Sequence, residues 1–165
     1  MSERPATRKE IIFVGVIGAA VGLYFILVGA GVLPVPGGPR SLHAPLWVVL
    51  CAGLAFFLGG VAVLIGAAGH ADATGTLPAA TPKMLHVAQY LIGLSIFVCF
   101  GAIASWIAFA PGTREFSGSF MGVTAPTGAW AGRAAFGAGA IIIWLCTVAI
   151  AISGARKLFG RDKKA

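Results

Sequence analysis

Acidic residues are scarce in this chain, and charge of either sign is missing from its long apolar segments. The 165 residues include 5 Asp and Glu against 12 Lys and Arg, and none of these lies deep inside the four apolar segments described below. Membrane transporters, pumps and proton relays usually place an ionisable group within the bilayer. The missing charge therefore argues against transport and against catalysis by paired carboxylates.

Cysteine chemistry is also poorly represented. The three cysteines, Cys51, Cys99 and Cys146, lie in or near three different apolar segments, and none belongs to a CxxC pair. Scattered thiols in odd number do not make a disulfide framework, and a buried Cys usually packs as a small apolar residue. The patterns GxSxG, HExxH and the P-loop are missing as well. We therefore expect no catalytic residues and a protein that is not an enzyme.

The chain does contain four long apolar segments, at about 11–33, 46–68, 87–110 and 134–154. It is 58% hydrophobic and its mean hydropathy is +0.93, outside the range of soluble domains. A helix needs about 20 apolar residues to cross a bilayer. The sequence therefore predicts an all-α integral membrane protein, with one domain of four transmembrane helices over residues 1–165.

Basic residues predict the orientation. The first apolar segment exceeds the core of a signal peptide, which is about 7–15 residues, so we interpret it as a retained span. With the amino terminus in the cytoplasm, nine basic residues lie inside and only Arg40, Arg114 and Arg133 lie outside. This distribution satisfies the positive-inside rule. We expect both termini and the loop 69–85 in the cytoplasm, and the loops 34–45 and 111–132 outside.

The outer loop 111–132 is the candidate contact site for a partner or for lipid, because loops longer than about 12–15 residues are usually functional or disordered. One interpretation is an arginine-lined site for an anion or a lipid phosphate. The other is an ion pair of Glu115 with Arg133 or Arg40 that holds the loop. The candidate residues of this outer surface are Arg40, Arg114, Glu115, Phe116, Phe120 and Arg133.

Glycine is abundant and regularly spaced. Within lipid, helices associate through small residues that let their backbones approach closely, and a seven-residue spacing returns to nearly the same helix face. Such faces fit either packing within one four-helix bundle or an interface with another subunit. The predicted packing or interface residues are Gly15, Gly18, Gly22, Gly29, Gly53, Gly60 and Gly137.

An internal similarity suggests a second interpretation of the architecture. Ala52–Gly60 and Ala131–Gly139 align at a constant offset with five of nine residues identical. Two tandem helical hairpins, related by an axis along the membrane normal, would produce such a pattern. The matching residues are mostly Gly and Ala, so chance similarity is the competing explanation.

Histidines supply the remaining candidate chemistry. His70 and His86 flank the inner loop, where a pair could ligate a metal or haem. Metal sites need further ligands at short spacing, and only Asp72 lies nearby in the sequence. Interfacial solvation is the simpler interpretation, and we expect no cofactor and no metal. His86, Gln89 and Tyr90 could form a polar cluster for a head group or quinone-like ligand, with helix–helix hydrogen bonding as the alternative.

These observations favour a non-enzymatic membrane protein that self-associates or is an accessory or structural subunit of a membrane complex. A small oligomeric transporter or pore is the alternative, and a haem- or quinone-linked redox protein is the third hypothesis. The expected partners are membrane lipids and other subunits or further copies of the chain, and not nucleic acid. The composition is typical of a GC-rich bacterial genome, so we expect a bacterial inner membrane.

Overall fold

A computed structural model of the chain contains four α-helices and one two-stranded β-sheet within the residues that it describes. The structure describes residues 7–38, 44–69, 76–78, 80–111, 116–120, 123–127 and 129–159, and it describes only the backbone at 116–120, 123–127, 129 and 157–159. The elements in chain order are α1 Arg8–Gly29, α2 Leu46–Ala68, α3 Lys83–Phe109, β1 Phe116–Phe120, β2 Val123–Thr127 and α4 Ala129–Phe159.

All four helices are long and apolar enough to cross a membrane. The prediction of four membrane-length helices is therefore confirmed. At 1.5 Å per residue, the 22 residues of α1 extend about 33 Å and the 31 residues of α4 about 46 Å. Both exceed the hydrocarbon core of about 30 Å. The last helix begins at Ala129 and not at the predicted 134, so it includes the end of the predicted outer loop.

Local chemistry explains both ends of α1. The Thr7 hydroxyl accepts from the Glu10 backbone N–H at 3.4 Å, and the Glu10 carboxylate accepts from the Thr7 N–H at 2.6 Å. This reciprocal pair is a capping box. At the other end, Gly31 has a φ of +74°, and the N–H of Val32 donates to the Leu27 carbonyl at 2.9 Å. This Schellman arrangement ends α1 at Gly29, before the predicted position 33.

The chain divides into two compact units, Met1–Cys99 and Phe100–Ala165. In the first unit α1 packs against α2, and in the second the β-hairpin lies against α4. Among the residues whose side chains are described, buried apolar side chains are few and mostly small, as expected for helices that meet through glycine and alanine. They include Val28 and Ala55 in the first unit and Ala108 and Ala140 in the second.

The β-hairpin is an element that sequence reasoning treated as loop. The strands are antiparallel, and the register pairs Phe116 with Thr127, Ser117 with Pro126 and Phe120 with Val123. Proline cannot donate to a ladder and is therefore confined to edge strands. A sheet of two strands has only edges, so Pro126 is compatible with β2.

Candidate functional site

The contact between α1 and α2 in the first unit is made by glycine backbones. A Cβ added to Gly29 would lie 2.6 Å from the Leu50 backbone nitrogen, and one added to Gly53 would lie 2.6 Å from the Ile26 nitrogen. Real Cβ atoms do not approach other atoms so closely, and backbone cannot move aside as a side-chain end can. Only glycine therefore fits at these two positions.

Two more glycines make equally close contacts at other levels of the same helix pair. A Cβ on Gly22 would overlap the backbone of Phe57, and one on Gly60 would overlap the backbone of Ala19. Gly15 lies at the edge of this contact, where a Cβ would be 3.0 Å from the Leu64 side chain. At Gly18 the nearest atom would be 3.5 Å away, an ordinary van der Waals distance.

Gly137, the seventh predicted glycine, lies in the second unit. Its added Cβ would be 3.7 Å from the Ala108 Cβ and from a ring atom of Phe109. The structure therefore brings the six other predicted glycines together between α1 and α2 and leaves Gly137 between α3 and α4. The glycines of the first unit contact another helix of the same chain.

A tryptophan links α3 and α4 in the second unit. The Trp144 indole N–H donates to the Ser105 hydroxyl at 3.1 Å, and that hydroxyl donates to the Gly101 carbonyl at 2.7 Å. The ring also lies against Gly101, where an added Cβ would be 3.0 Å from it. Serine and tryptophan can each satisfy a polar group inside lipid in this way. This pairing depends on the register of the two helices, which the sequence alone does not reveal.

Of the six residues predicted for the outer surface, Arg133 is the one whose side chain the structure describes. It is half-buried, and its guanidinium Nη2 donates to the Ala110 carbonyl at 3.2 Å. The last carbonyls of a helix have no intrahelical partner and carry partial negative charge. Arg133 therefore places a cation against the end of α3, a role that no pattern in the sequence indicated.

An open apolar groove of about 390 Å³ lies between α3 and α4 in the second unit. At Gly139, an added Cβ would have no described atom within 4 Å, so the groove is open there. The residues that line it are Phe100, Ile103, Ala104, Ile107, Ala135, Phe136, Gly139 and Ile143. This groove is a feature that sequence reasoning missed.

The rest of the predicted outer surface is only partly described. Phe116 and Phe120 are the first and last residues of β1, described by backbone alone. Arg40, Arg114 and Glu115 lie outside the described residues, so neither proposed ion pair of Glu115 is tested.

The described residues include no group of three or more His, Cys, Asp or Glu side chains that could hold a metal ion. His86 is half-buried at the start of α3, whereas His43, His70 and Asp72 lie outside the described part. The three cysteines are free thiols, with Cys99 buried and Cys146 exposed.

Comparison with known proteins finds no matching family model, no matching curated protein and no matching solved structure.

Proposed function

We propose that this chain is a non-enzymatic, multi-pass membrane protein that self-associates or serves as an accessory or structural subunit of a membrane complex. It lies in a bacterial inner membrane with both termini in the cytoplasm. The excess of basic residues at the inner ends of the spans, nine against three, supports this orientation. A fluorescent protein fused to the carboxyl terminus should fluoresce, because it folds in the cytoplasm.

The observation that carries the proposal is the bonding of three polar side chains in α3 and α4. Ser105 and Trp144 bond each other, and Thr147 donates to the Ile143 carbonyl of its own helix at 2.7 Å. Hydroxyls bonded to helix carbonyls serve packing and helix geometry. A pore or an active site would need such groups directed toward water or a substrate, so their structural use favours the subunit role over the transporter alternative.

The outer hairpin is the part best suited to contact a partner. It is a regular element outside the membrane-length helices, and it lies against α4. Its first strand begins with Phe116 and ends with Phe120, and Ser117 and Ser119 are at intervening positions of that strand. Aromatic residues, phenylalanine among them, are enriched at protein interfaces, and we assign the partner contact to Phe116 and Phe120.

Purification from native membranes in a mild detergent tests the proposal. The tagged full chain should elute as a stoichiometric complex well above its 16.8 kDa monomer mass. Replacing Phe116 and Phe120 together by Ser should release the partner or the additional copies. The matched control, Ser117→Ala with Ser119→Ala, should keep the complex. A monomer in both the detergent and cross-linked membranes would contradict the proposal.

A further inference from the structure

The register of the β-hairpin determines which backbone groups are used inside it. Two residues separate the strands, and the pair next to them is Phe120 and Val123. This pair must exchange hydrogen bonds, because the other arrangement would require bonds between the two connecting residues. Bonded pairs alternate with pairs that exchange no bonds, so Ser119 and Thr124 form a non-bonded pair. Pro126, two positions further along β2, falls in another non-bonded pair, as its missing N–H requires.

The two edges of the sheet differ in the backbone groups that they present. In a non-bonded pair, the N–H and C=O of each residue point away from the partner strand. On β1 these residues are Ser117 and Ser119, which present two complete sets of donor and acceptor. On β2 they are Thr124 and Pro126, and the proline has no donor. The sheet contains only these two strands, and no described backbone group outside it bonds the serine backbone. Among the described residues, β1 is therefore the open edge and β2 the edge that proline protects.

The sequence of β1 identifies the strand that fits its edge. Residues 116–120 read Phe-Ser-Gly-Ser-Phe, which is the same in both directions. The neighbouring strand of an antiparallel pair runs in the opposite direction, so two copies of β1 centred on Gly118 place identical residue types opposite each other at every position. Cross-strand pairs of aromatic residues and of hydroxyl residues stabilise a sheet. A second copy of the chain therefore fits this edge better than an arbitrary extended peptide.

The hydrogen-bonding positions match in the same register. With a two-fold axis at Gly118, Ser117 of each copy is opposite Ser119 of the other, and both residues direct their backbone groups toward the shared edge. Each of these two equivalent pairs exchanges two bonds, so four bonds join the copies. The central glycines form a non-bonded pair, with their Cα atoms about 4.5 Å apart. The interface is isologous, the type found in two-fold dimers.

We propose that β1 pairs in antiparallel fashion with β1 of a second copy of this chain, which forms a four-stranded sheet centred on Gly118. The inference rests on the proposed function, because it specifies the self-associating form and the contact that produces it. Phe116 of each copy is then opposite Phe120 of the other, so the partner contact assigned to these residues belongs to the same interface. A single two-stranded hairpin is marginally stable in water, and the pairing adds two strands to each hairpin.

Disulfide cross-linking of the full-length chain tests the register. The three native cysteines, which are free thiols, are replaced by alanine, and Gly118→Cys is oxidised with copper phenanthroline in native membranes. The product should have twice the monomer mass of 16.8 kDa, because a disulfide joins Cα atoms about 4.4–6.8 Å apart. Ala125→Cys, opposite Gly118 on β2, is the matched control. Its two copies would be three strand spacings, or about 14 Å, apart, so it should remain a monomer.

A proline on each edge tests the hydrogen bonds between the copies. Ser119→Pro removes an N–H that points out of the hairpin, and with it two of the four bonds. Analytical ultracentrifugation in detergent micelles should show a dimer weakened at least about tenfold. Thr124→Pro is the matched control, because Thr124 is opposite Ser119 and its N–H points out of the other edge. This variant should keep the wild-type dimer. Neither proline removes a bond within the hairpin, and unchanged helical circular dichroism would show that both variants fold.

Two results would overturn the inference. One is a Gly118→Cys chain that stays monomeric or cross-links no better than Ala125→Cys. The other is an equal dimer affinity in Ser119→Pro and Thr124→Pro. If the chain then purifies from native membranes in a complex with a different protein, the proposed subunit role stands and only the β1 pairing fails. A monomer in every experiment would contradict both.

Discussion

Two segments of this chain have similar sequences but pack differently. Ala52–Gly60 and Ala131–Gly139 share five of nine residues at a constant offset. Gly60 lies against the backbone of Ala19, whereas its counterpart Gly139 lines an open groove. Small residues therefore permit two helices to approach closely, but they do not by themselves bring the helices together.

The residues on the opposite helix differ between the two contacts, because the α3 residues that line the groove with Gly139 include the large Phe100 and Ile103. In the first unit, small residues face small residues: Gly60 is next to Gly15, and Gly53 is next to Gly22. In the second unit, Gly101 faces the large ring of Trp144. Matched small residues allow backbone contact, whereas the tryptophan ring contributes a hydrogen bond and side-chain contact. Close packing thus requires complementary positions on both helices.

The largest expected effect comes from enlarging Gly60. Gly60→Leu would overlap the Ala19 backbone, which cannot shift without separating α1 from α2. We expect the free energy of unfolding to fall by about 3 kcal/mol or more, the upper range for overpacking. It can be measured by titration with sodium dodecyl sulfate in mixed micelles, followed by circular dichroism.

Gly59→Leu is the control for that experiment. The two glycines are adjacent on α2, but an added Cβ at Gly59 meets no described atom within 4 Å. Its unfolding free energy should stay within about 1 kcal/mol of wild type or rise slightly, because leucine has the higher helix propensity. Equal losses in both variants would contradict the assignment of Gly60 to the helix contact.

A smaller effect is expected from a single added methyl group at the two kinds of glycine contact. Gly53→Ala should lower the unfolding free energy by about 1–3 kcal/mol, because its Cβ would be 2.6 Å from the Ile26 nitrogen. Gly137→Ala has 3.7 Å of room and should be neutral or stabilising by up to about 1 kcal/mol. If the change in unfolding free energy has opposite signs for the two variants in the same micelle assay, Gly53 lies in a backbone contact and Gly137 in a side-chain contact.

The smallest effect concerns the hydrogen bond between Trp144 and Ser105. A double-mutant cycle of Trp144→Phe and Ser105→Ala should give a coupling free energy of about 0.6 kcal/mol, the average for such bonds between membrane helices. The coupling is obtained from the unfolding free energies of wild type, the two single variants and the double variant. A second cycle that uses Trp130→Phe instead of Trp144→Phe is the control, because the structure shows the bond to Ser105 for Trp144. Zero coupling would show that the ring acts through packing alone.

Helix number and composition could be predicted from the sequence because they depend on local apolar length. The end of α1 depends on Gly31, which has a left-handed backbone conformation. A prediction from the length of the apolar segment alone does not take this glycine into account. The hairpin was missed because Gly, Ser and Pro are typical of loops. Its signal was the alternation of Phe116, Gly118 and Phe120 with serines, followed by a second short segment two residues later.

The groove and the position of Arg133 could not be predicted in the same way. Both depend on the antiparallel register of α3 and α4, which places Ala110 beside Arg133 and Gly101 beside Trp144. Sequence periodicity identifies which residues share one face of a helix, but it does not give the axial register of that helix relative to a neighbouring helix. Arg133 lies near the start of α4, and its carbonyl partner on Ala110 could be found only from the structure.

The glycine contact of the first unit also has a consequence for biosynthesis. All of its residues lie between positions 15 and 64. A ribosome adds about 5–20 residues per second, starting from the amino terminus. The roughly 45 residues between Leu64 and the end of α3 at Phe109 therefore take about 2–9 s to synthesise. Helical contacts between neighbours in sequence form within microseconds to milliseconds. The packed pair of α1 and α2 can therefore be complete while the ribosome is still translating α3. In Gly60→Leu the two helices would be separated already at that stage, and membrane proteases could cleave the chain before its synthesis ends.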